Sequence, residues 1–411
     1  MKVLNKYSVG TGDRFGKQGE AQLHAFELLA ERGVEASIVW NKSNREHLLI
    51  GTEPENQRIA SEAAVKARGY KGIYCVDADH INLETVDGFL PWCDFFTIDV
   101  ADFIGKAASE ERTQAFVAAR QNLIADRSVP VAIDQKTIEV SAAKYLYAID
   151  EAALVYGRIL ANKPDGNFHI EVSMDETDAA QSPAEMVVIL AGLADAGIPV
   201  QTIAPKFSGR FNKGVDYVGD VDAFLREFEA DAGVIAWAAK AFGLPESLKL
   251  SIHSGSDKFS IYPGIGRIIR KLGCGLHLKT AGTTWLEELI GLAEADGEAL
   301  VLAKRIYASA YNRISELTKP YAAVIDISMD RLPSPATVGS WDSRTFVDAL
   351  RHDQKNPGYN PDFRQLLHVA FKVAGELGQE YLDALEEYKP SIFRNVSFNL
   401  FERHMRPLFI G

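Results

Sequence analysis

Short β-rich apolar runs alternate with helical patterns eight times along this 411-residue chain. The first run, at residues 4–12, precedes the helical stretch "EAQLHAFELLAERG", and the second, at 36–42, precedes "ENQRIASEAAVKARGY". The other runs lie at residues 72–80, 95–103, 167–176, 200–207, 248–257 and 276–283, each before a further helical pattern. Strands that alternate with helices form parallel sheets with right-handed crossovers. Eight such units are what a (β/α)8 barrel requires, so the pattern predicts an α/β fold of the TIM-barrel type.

Two helical regions lie outside this repeat. Residues 126–166 form an extra helical insertion after the fourth run, and residues 300–411 are mostly helical, with a loop that contains proline and glycine near 332–362. The eighth run is followed by one long helical pattern that reaches Ile314. We therefore expect a catalytic barrel domain over residues 1–299 and a helical C-terminal extension over 300–411 that packs on it.

An open doubly wound sheet that binds a dinucleotide is the competing architecture. The stretch "GTGDRFG" after the first run has the spacing G-x-G-x-x-x-G, which differs from the dinucleotide fingerprint. The second run ends in Asn41 and Lys42, where that fold places an acidic residue for the ribose. We therefore expect no nicotinamide cofactor.

Composition and charge exclude several classes of partner. The formal net charge is −12 and no basic block stands out, which argues against nucleic-acid binding. No apolar run approaches the ~20 residues of a membrane span, and the N-terminal stretch "MKVLNKYSVG" lacks a signal-peptide core. Cys75, Cys93 and Cys274 are far apart and are expected to be buried thiols. These features indicate a cytoplasmic protein with a small-molecule substrate, and they leave open whether it forms a homo-oligomer.

Acidic and imidazole side chains fall at the ends of four runs. In a barrel, active-site residues come from the carboxyl ends of the strands, and side chains alternate between the two faces. In the fifth run Phe168, Ile170, Val172 and Met174 suit the outer face, which leaves His169, Glu171, Ser173 and Asp175 pointing inward. The same parity places His253 of the seventh run inside, together with His277 and Lys279 of the eighth. In the third run, "CVDADHI", Asp77 and Asp79 share one face, so Asp79 and His80 can both reach the barrel mouth only if the chain bends.

So many ionisable groups need a common partner if they are buried together. A divalent cation satisfies them, and imidazole with carboxylate suits Zn, Mn, Co, Ni or Fe better than Ca or Mg. A single inward histidine is more often a hydrogen-bonded core residue, and His169, deep in its run, is assigned that role. Asp220 has the position of a helix N-cap, although Asp216 or Asp220 remains an alternative metal ligand.

Four cations lie near the same end of the predicted barrel. Arg14 belongs to the first loop, Lys206 ends the sixth run, Lys258 lies in "SGSDKFS", and Lys279 lies in the eighth run. Any one of them could be an ion-pair partner within the protein. Together they indicate a site for a hydroxylated, anionic ligand.

The combination of motifs resembles the tagaturonate/fructuronate epimerase family, some relatives of which act as tagatose/fructose 4-epimerases. The motifs are "GTGDRFG", "DADHI", "IEVSMDETD", "APKFSGRFNKGVDYVGD", "IHSGSDKFSIYP" and "LHLKTAGTTWLE", and the resemblance covers about residues 7–290. It implies a metal-dependent hexuronate epimerase of bacterial uronate catabolism. It also implies that Asp79 is an acid/base residue, that His80 is a metal ligand, and that His253 is another ligand.

On these grounds we predict the following site. Asp79 and Glu171 are the catalytic residues, and one divalent transition metal (Zn, Mn, Co or Ni) is bound by His80, Glu171, His253 and His277. The substrate, a ketose or ketouronate, is bound by Arg14, Asp175, Lys206, Lys258 and Lys279. Whether Glu171 is a ligand or an acid/base, and whether Asp216 or Asp220 replaces His277, stays open at this point.

The resemblance implies inversion at C4 in ketose numbering, a carbon β to the ketone whose C–H is not acidic. Retro-aldol cleavage of C3–C4, rotation of the aldehyde and re-addition is the route that needs no nicotinamide. The alternatives are a metal-dependent aldolase, a ketose isomerase or a non-catalytic sugar-binding barrel. The choice between uronate and neutral ketose also stays open.

Overall fold

Eight parallel strands close into a barrel in the computed structural model, which describes residues 3–411. The strands are β1 (Tyr7–Thr11), β2 (Ala36–Ser43), β3 (Tyr74–Ile81), β4 (Phe95–Asp99), β5 (His169–Ser173), β6 (Thr202–Ala204), β7 (Lys249–His253) and β8 (Leu276–Ala281). Each strand pairs with its neighbour in chain order, and β1 pairs with β8. Each of the eight predicted runs overlaps one of these strands, with β2 and β3 extending one residue past their runs, and the predicted α/β barrel is confirmed.

Helices surround the barrel and continue to the C-terminus. They are α1 (Gly19–Glu31), α2 (Asn44–Ile50), α3 (Pro54–Arg68), α4 (Val86–Phe89), α5 (Glu110–Ala119), α6 (Asn122–Ala125), α7 (Gln135–Asn162), α8 (Pro183–Asp195), α9 (Val221–Ala241), α10 (Tyr262–Leu272), α11 (Thr284–Ala295), α12 (Gly297–Asn312), α13 (Ile314–Thr318), α14 (Pro335–Gly339), α15 (Ser343–Leu350), α16 (Pro361–Val369), α17 (Phe371–Leu377), α18 (Gln379–Glu387) and α19 (Lys389–Phe398). Short 3-10 turns lie at Ala101–Phe103, Lys319–Tyr321 and Met329–Arg331, and a π-helical segment follows at Asn399–Ile410. Within residues 3–411, no helix has the length and apolar character needed to cross a bilayer.

Local sequence signals explain where the helices begin. Ser182 starts α8 with a capping box, in which its hydroxyl accepts the Glu185 N–H at 3.3 Å and the Glu185 carboxylate accepts the Ser182 N–H at 2.8 Å. Pro183 follows at the first helical position, where its missing N–H costs nothing. The predicted helical insertion after the fourth strand is α7.

Two predicted details of the C-terminal half are wrong. The long helical pattern after β8 is divided into α11 and α12 at Asp296, whose φ of 61° cannot continue a right-handed helix. The Asp296–Gly297 pair suits a turn of this kind. The region near 332–362, predicted as a loop, contains α14 and α15, which begin at the side-chain caps Ser334 and Asp342.

The apolar residues form two main cores. One fills the space between the strands and the surrounding helices, and it includes Leu400, Met405 and Phe409 of the terminal segment. The other is built from α11 to α19 around residues such as Trp285 and Phe363. The division after residue 299 stays a prediction, and that residue lies inside α12.

A buried arginine joins the C-terminal helices to the barrel mouth. Arg364 of α16 is fully buried; its Nη1 donates to the Leu350 carbonyl at 2.7 Å and its Nη2 to the Asp257 carboxylate. Its Nε donates to the Gly214 carbonyl. Asp257 lies four residues after His253, so α16 holds the loop that follows the end of β7.

Candidate active site

The end of β3 bends, and the bend brings two neighbouring side chains to the barrel mouth. His80 has a φ of 51°, and the pairing of β3 with β4 shifts register between Ala78 and Ile81. A positive φ at a residue other than glycine is uncommon and often marks a functional position. The predicted break in the strand alternation is confirmed: Asp79 and His80 both line one cavity at the mouth.

His80, Asp175 and His253 form a compact group, the His–Asp–His cluster. Each residue offers one ligating atom, and these atoms lie within 4.8 Å of one another. His80 is the second-to-last residue of β3, Asp175 follows β5, and His253 is the last residue of β7. Two imidazoles and one carboxylate fit a divalent transition metal and leave coordination positions for other ligands.

The second nitrogen of each imidazole is held by a carboxylate. His80 Nδ1 lies 2.8 Å from Asp99 Oδ2, and His253 Nε2 lies 2.8 Å from Glu171 Oε1. His253 Nδ1 then faces Asp175, 2.9 Å from its Oδ1. Metal-ligating histidines commonly donate their other N–H to a carboxylate, which fixes the tautomer and the ring orientation. This arrangement is the observation that makes the cluster fit a metal.

Negative charge dominates around both rings. Burial alone would lower the pKa of His80, but the Asp79 charge and the bond to Asp99 raise this pKa to about 10. Burial also opposes protonation of His253, whereas Asp175 and Glu171 raise its pKa to about 9. The carboxylates therefore favour positive charge at the cluster, as a protonated imidazole or a cation would provide.

Lys279 lies at the centre of a second group, the Lys279 network, which also contains Asp77, Asp79, Glu171 and Thr97. Its Nζ lies 3.0 Å from Asp77 Oδ2, 2.8 Å from Asp79 Oδ1 and 3.1 Å from Glu171 Oε1. Burial opposes the charge on Lys279, but Asp77 and the other carboxylates raise its pKa well above the usual range. The predicted substrate-binding role of Lys279 is not supported, because the buried carboxylates already require its charge.

Asp79 connects the two groups. Its Oδ1 contacts Lys279 and lies 3.8 Å from His80 Nε2, and 7% of the residue is exposed. Burial would raise the pKa of Asp79, but the Lys279 charge next to it lowers this pKa to about 2. Asp79 is thus an ionised carboxylate at the cavity surface, where a predicted acid/base residue has to be.

Glu171, the other predicted catalytic residue, lies beneath the cavity. It is fully buried, and its Oε2 accepts the Thr202 hydroxyl at 2.7 Å while its Oε1 contacts His253 and Lys279. These contacts occupy both oxygens, so Glu171 holds His253 in place rather than contacting a ligand.

His277 lies one layer deeper than the cluster. It is in register with Ser251, whereas Lys279 is in register with His253. Its Nδ1 lies 2.8 Å from Ser8 Oγ, its ring stacks on Phe95, and burial lowers its pKa to about 3. The structure does not bring His277 to the His–Asp–His cluster, because the register between β7 and β8 places Lys279, and not His277, level with His253.

The remaining predicted cations are in different positions. Lys258 is fully buried and donates to the carbonyls of Asn212 at 2.8 Å and Val215 at 2.7 Å, so it cannot reach a ligand. Arg14 lines the mouth, but its Nη2 is paired with Glu46 Oε1 at 2.9 Å. Lys206 lines the main cavity and donates to the Thr177 carbonyl.

Neither alternative ligand lies in the cluster. Asp216 accepts the Ser260 hydroxyl at 2.9 Å. Asp220 caps α9 by accepting the Ala223 N–H at 2.9 Å, so the N-cap interpretation is confirmed.

The mouth has two neighbouring cavities that share His80, with volumes of about 320 and 230 Å3.

Sequence reasoning missed four residues around these cavities: Asp99, Arg45, Lys213 and Tyr321. Strand parity from Phe95 through Thr97 would have identified Asp99, and Lys213 lies inside a motif quoted above. Tyr321 belongs to the C-terminal extension, and no local pattern indicates its place at the mouth.

Sequence comparisons find relatives of this chain among known proteins. The model of the tagaturonate epimerase family (UxaE) matches residues 1–405. A tagaturonate/fructuronate epimerase of Thermotoga maritima is 28% identical over 438 aligned positions, which cover 98% of this chain and 84% of that protein.

Solved structures share the fold. The native crystal structure of the fructuronate-tagaturonate epimerase UxaE from Cohnella laeviribosi superposes with a TM-score of 0.80 at 24% identity, covering 99% of this chain and 82% of that one. A complex of the same enzyme with two glycerol molecules gives a TM-score of 0.80 at 24% identity, over 100% and 83% of the two chains.

Proposed function

This chain belongs to the tagaturonate epimerase family, and from that premise we propose that its barrel mouth interconverts tagaturonate and fructuronate by inverting C4 in ketose numbering. The observation that carries the proposal is the position of Asp79. This ionised carboxylate contacts Lys279 and lies beside the His–Asp–His cluster, at the surface of a cavity large enough for a hexose-sized ligand.

The chemistry of the substrate restricts the mechanism. C4 is β to the C2 ketone, so a carbanion at C4 has no carbonyl to delocalise it. Breaking the C3–C4 bond instead leaves a C1–C3 enediolate and turns C4 into an aldehyde carbon. Rotation of the aldehyde and re-formation of the bond on its other face give the C4 epimer, with all atoms conserved.

His80, Asp175 and His253 would hold the divalent metal, and Asp99 and Glu171 would fix the two imidazoles. A divalent metal held there would supply Lewis-acid chemistry for a ketone and for negative charge that develops beside it.

Asp79 transfers the proton in this proposal. Its carboxylate accepts the proton of the C4 hydroxyl as C3–C4 breaks, and the resulting acid returns it to the C4 oxygen when the bond forms again. Lys279 keeps Asp79 ionised before the reaction and orients it. Glu171 takes no proton, since Thr202, His253 and Lys279 occupy its oxygens.

The test is NMR of tagaturonate, fructuronate, tagatose and fructose, each incubated with metal-loaded protein. We expect either uronate to give the same equilibrium mixture of the two uronates. Accumulation of free three-carbon fragments would indicate an aldolase, and formation of an aldose or aldehydo-uronate would indicate a ketose isomerase. Unchanged spectra for all four sugars would contradict the proposal.

A further inference from the structure

Two cations at the mouth lie against the same aromatic ring. The Lys213 Nζ lies 5.5 Å from the centroid of Tyr321, and the Arg45 guanidinium carbon lies 5.0 Å from it. Both line the cavity that contains His80, Asp175 and His253. Tyr321 comes from the C-terminal extension and is buried, so it fixes one wall of this cavity.

These two cations lack the partners that the other cations of the mouth have. Arg14 is paired with Glu46, Lys279 with three carboxylates, and Lys206 donates to a carbonyl. Across residues 3–411, neither Lys213 nor Arg45 makes an ion pair, and the charges of Glu46 and Glu176 only partly offset the lowering of the Lys213 pKa. Burial, and after it the charge of Arg45, lowers the pKa of Lys213. Two like charges at one cavity wall are stabilised when an anion binds between them.

We propose that Lys213 and Arg45 bind the carboxylate of the hexuronate substrate and so select uronates over neutral ketoses. The inference rests on the proposed function, because it assigns the anion to that substrate. Lys213 lines the cavity beside the His–Asp–His cluster, and it also lines the one beside Asp79. A ligand held at Lys213 therefore lies in cavities that also contain the cluster and Asp79.

In the retro-aldol route, Lys213 and Arg45 have a second role. Together they form a carboxylate anchor, which holds half of the substrate after the C3–C4 bond breaks. Cleavage of C3–C4 divides the substrate into a C1–C3 enediolate and a C4–C6 aldehyde that carries the carboxylate. Nothing covalent then joins the halves, so an unanchored aldehyde diffuses away and the enzyme acts as an aldolase. With its carboxylate held by Lys213 and Arg45, the aldehyde turns about the C4–C5 bond and presents its other face, while C5 keeps its configuration.

Affinity is the first test, and it does not depend on turnover. Calorimetry of the metal-loaded protein is carried out with a pre-equilibrated tagaturonate–fructuronate mixture and with a tagatose–fructose mixture. Lys213→Met should weaken uronate binding about tenfold to hundredfold, the usual range for a lost charged hydrogen bond, and leave ketose binding within about twofold. Arg45→Met, at an exposed position that tolerates the change, should act in the same direction.

Two further variants separate a contact from a general charge effect. Lys213→Arg keeps the charge and should retain most of the uronate affinity. Lys319→Met removes an equal charge at an exposed residue beside Tyr321 that does not line the cavity, and it should change neither affinity. Equal losses for uronate and ketose, or wild-type protein that binds uronate no more tightly than ketose, would overturn the proposal.

Product analysis distinguishes this inference from the proposed function. Lys213→Met should release dihydroxyacetone and the three-carbon aldehyde acid from tagaturonate faster, relative to epimer, than wild type does. If wild type binds uronate through Lys213 but forms no epimer, the proposed epimerase function is refuted and carboxylate binding by Lys213 is supported. The opposite result is also informative. If wild type epimerises tagaturonate, and both Lys213→Met and Arg45→Met keep the uronate preference and release no fragments, the carboxylate-binding role of these residues is refuted and the proposed function is supported.

Discussion

The imidazole rings of His80 and His253 meet edge to face at the barrel mouth, with their centroids 5.1 Å apart. The two residues lie at the carboxyl ends of β3 and β7, which are on different sides of the barrel. Asp99 holds the far nitrogen of one ring and Glu171 that of the other, so both rings are oriented before any ligand arrives. This preorganisation is the basis of the predictions about metal binding.

Chelation should abolish epimerisation, and Mn, Co, Ni or Zn should restore it. His253→Gln should lower metal affinity by far more than His277→Gln, because His277 lies beside Ser8 and outside the cluster. Competition with a metal-sensitive dye measures both affinities directly. Full activity in exhaustively metal-free protein would show that the metal has no part in the reaction.

Metal affinity should rise with pH. In the metal-free protein the pKa values of His80 and His253 are raised to about 10 and about 9, so both imidazoles carry protons near neutrality. A ligand must be a neutral imidazole, so binding releases these protons, and the affinity rises about tenfold per pH unit for each proton released. Calorimetry in buffers of different ionisation enthalpy counts the protons. An affinity that is constant between about pH 6 and pH 8 would contradict the assignment.

Asp79→Asn should lose most turnover, by ~10²–10⁴-fold, while it still binds metal through the His–Asp–His cluster. Asp77→Asn is the matched control, since it removes a carboxylate from the same lysine at a position that lines neither cavity of the mouth. Steady-state rates with tagaturonate measure the difference. Near-normal turnover in Asp79→Asn, or an equal loss in both variants, would remove Asp79 from the proton transfer.

Substrate deuterated at C4 should give epimer that keeps its deuterium. In the retro-aldol route the C4 hydrogen becomes the aldehyde hydrogen and never leaves carbon. NMR of the product in H2O, with the reverse experiment in D2O, measures retention and uptake. Solvent hydrogen at C4 would indicate direct deprotonation. Because transient oxidation could also retain the label, the extracted protein is analysed for a bound nicotinamide as a control.

Arg364→Met should destabilise the protein by ~3–5 kcal/mol, since it leaves the buried Asp257 carboxylate without its cationic partner. Metal affinity should fall as well, because the loop held by Asp257 follows the ligand His253. Arg344→Met, which removes an exposed arginine paired with Asp348, is the control and should change the free energy of unfolding little. Urea unfolding and the metal competition assay measure the two effects. Unchanged stability would show that the Arg364–Asp257 pair is dispensable.

Local patterns in the sequence were sufficient to predict the barrel and several site residues. The alternation in β5 identified the inward face that carries Glu171, and the bend predicted after Asp79 is present at His80. These features depend on the two-residue period of a strand and on the position of its end. Both can be recognised in a short stretch of consecutive residues. For that reason, sequence analysis identified all three residues of the His–Asp–His cluster as site residues. It predicted His80 and His253 as metal ligands but Asp175 as a substrate-binding residue.

The tertiary structure determined which of the converging side chains meet. Lys279 and Lys258 were predicted to bind substrate, yet buried carboxylates surround the first and backbone carbonyls the second. His277 lies one layer too deep, because depth is set by the stagger between strands and not by the sequence of one strand. Tyr321, which lies against Lys213 and Arg45, reaches the mouth only because the C-terminal helices fold back onto the barrel. The distance between two charges in a folded protein depends on elements far apart in the chain, so the sequence determined the kinds of residue at the site and the fold determined their partners.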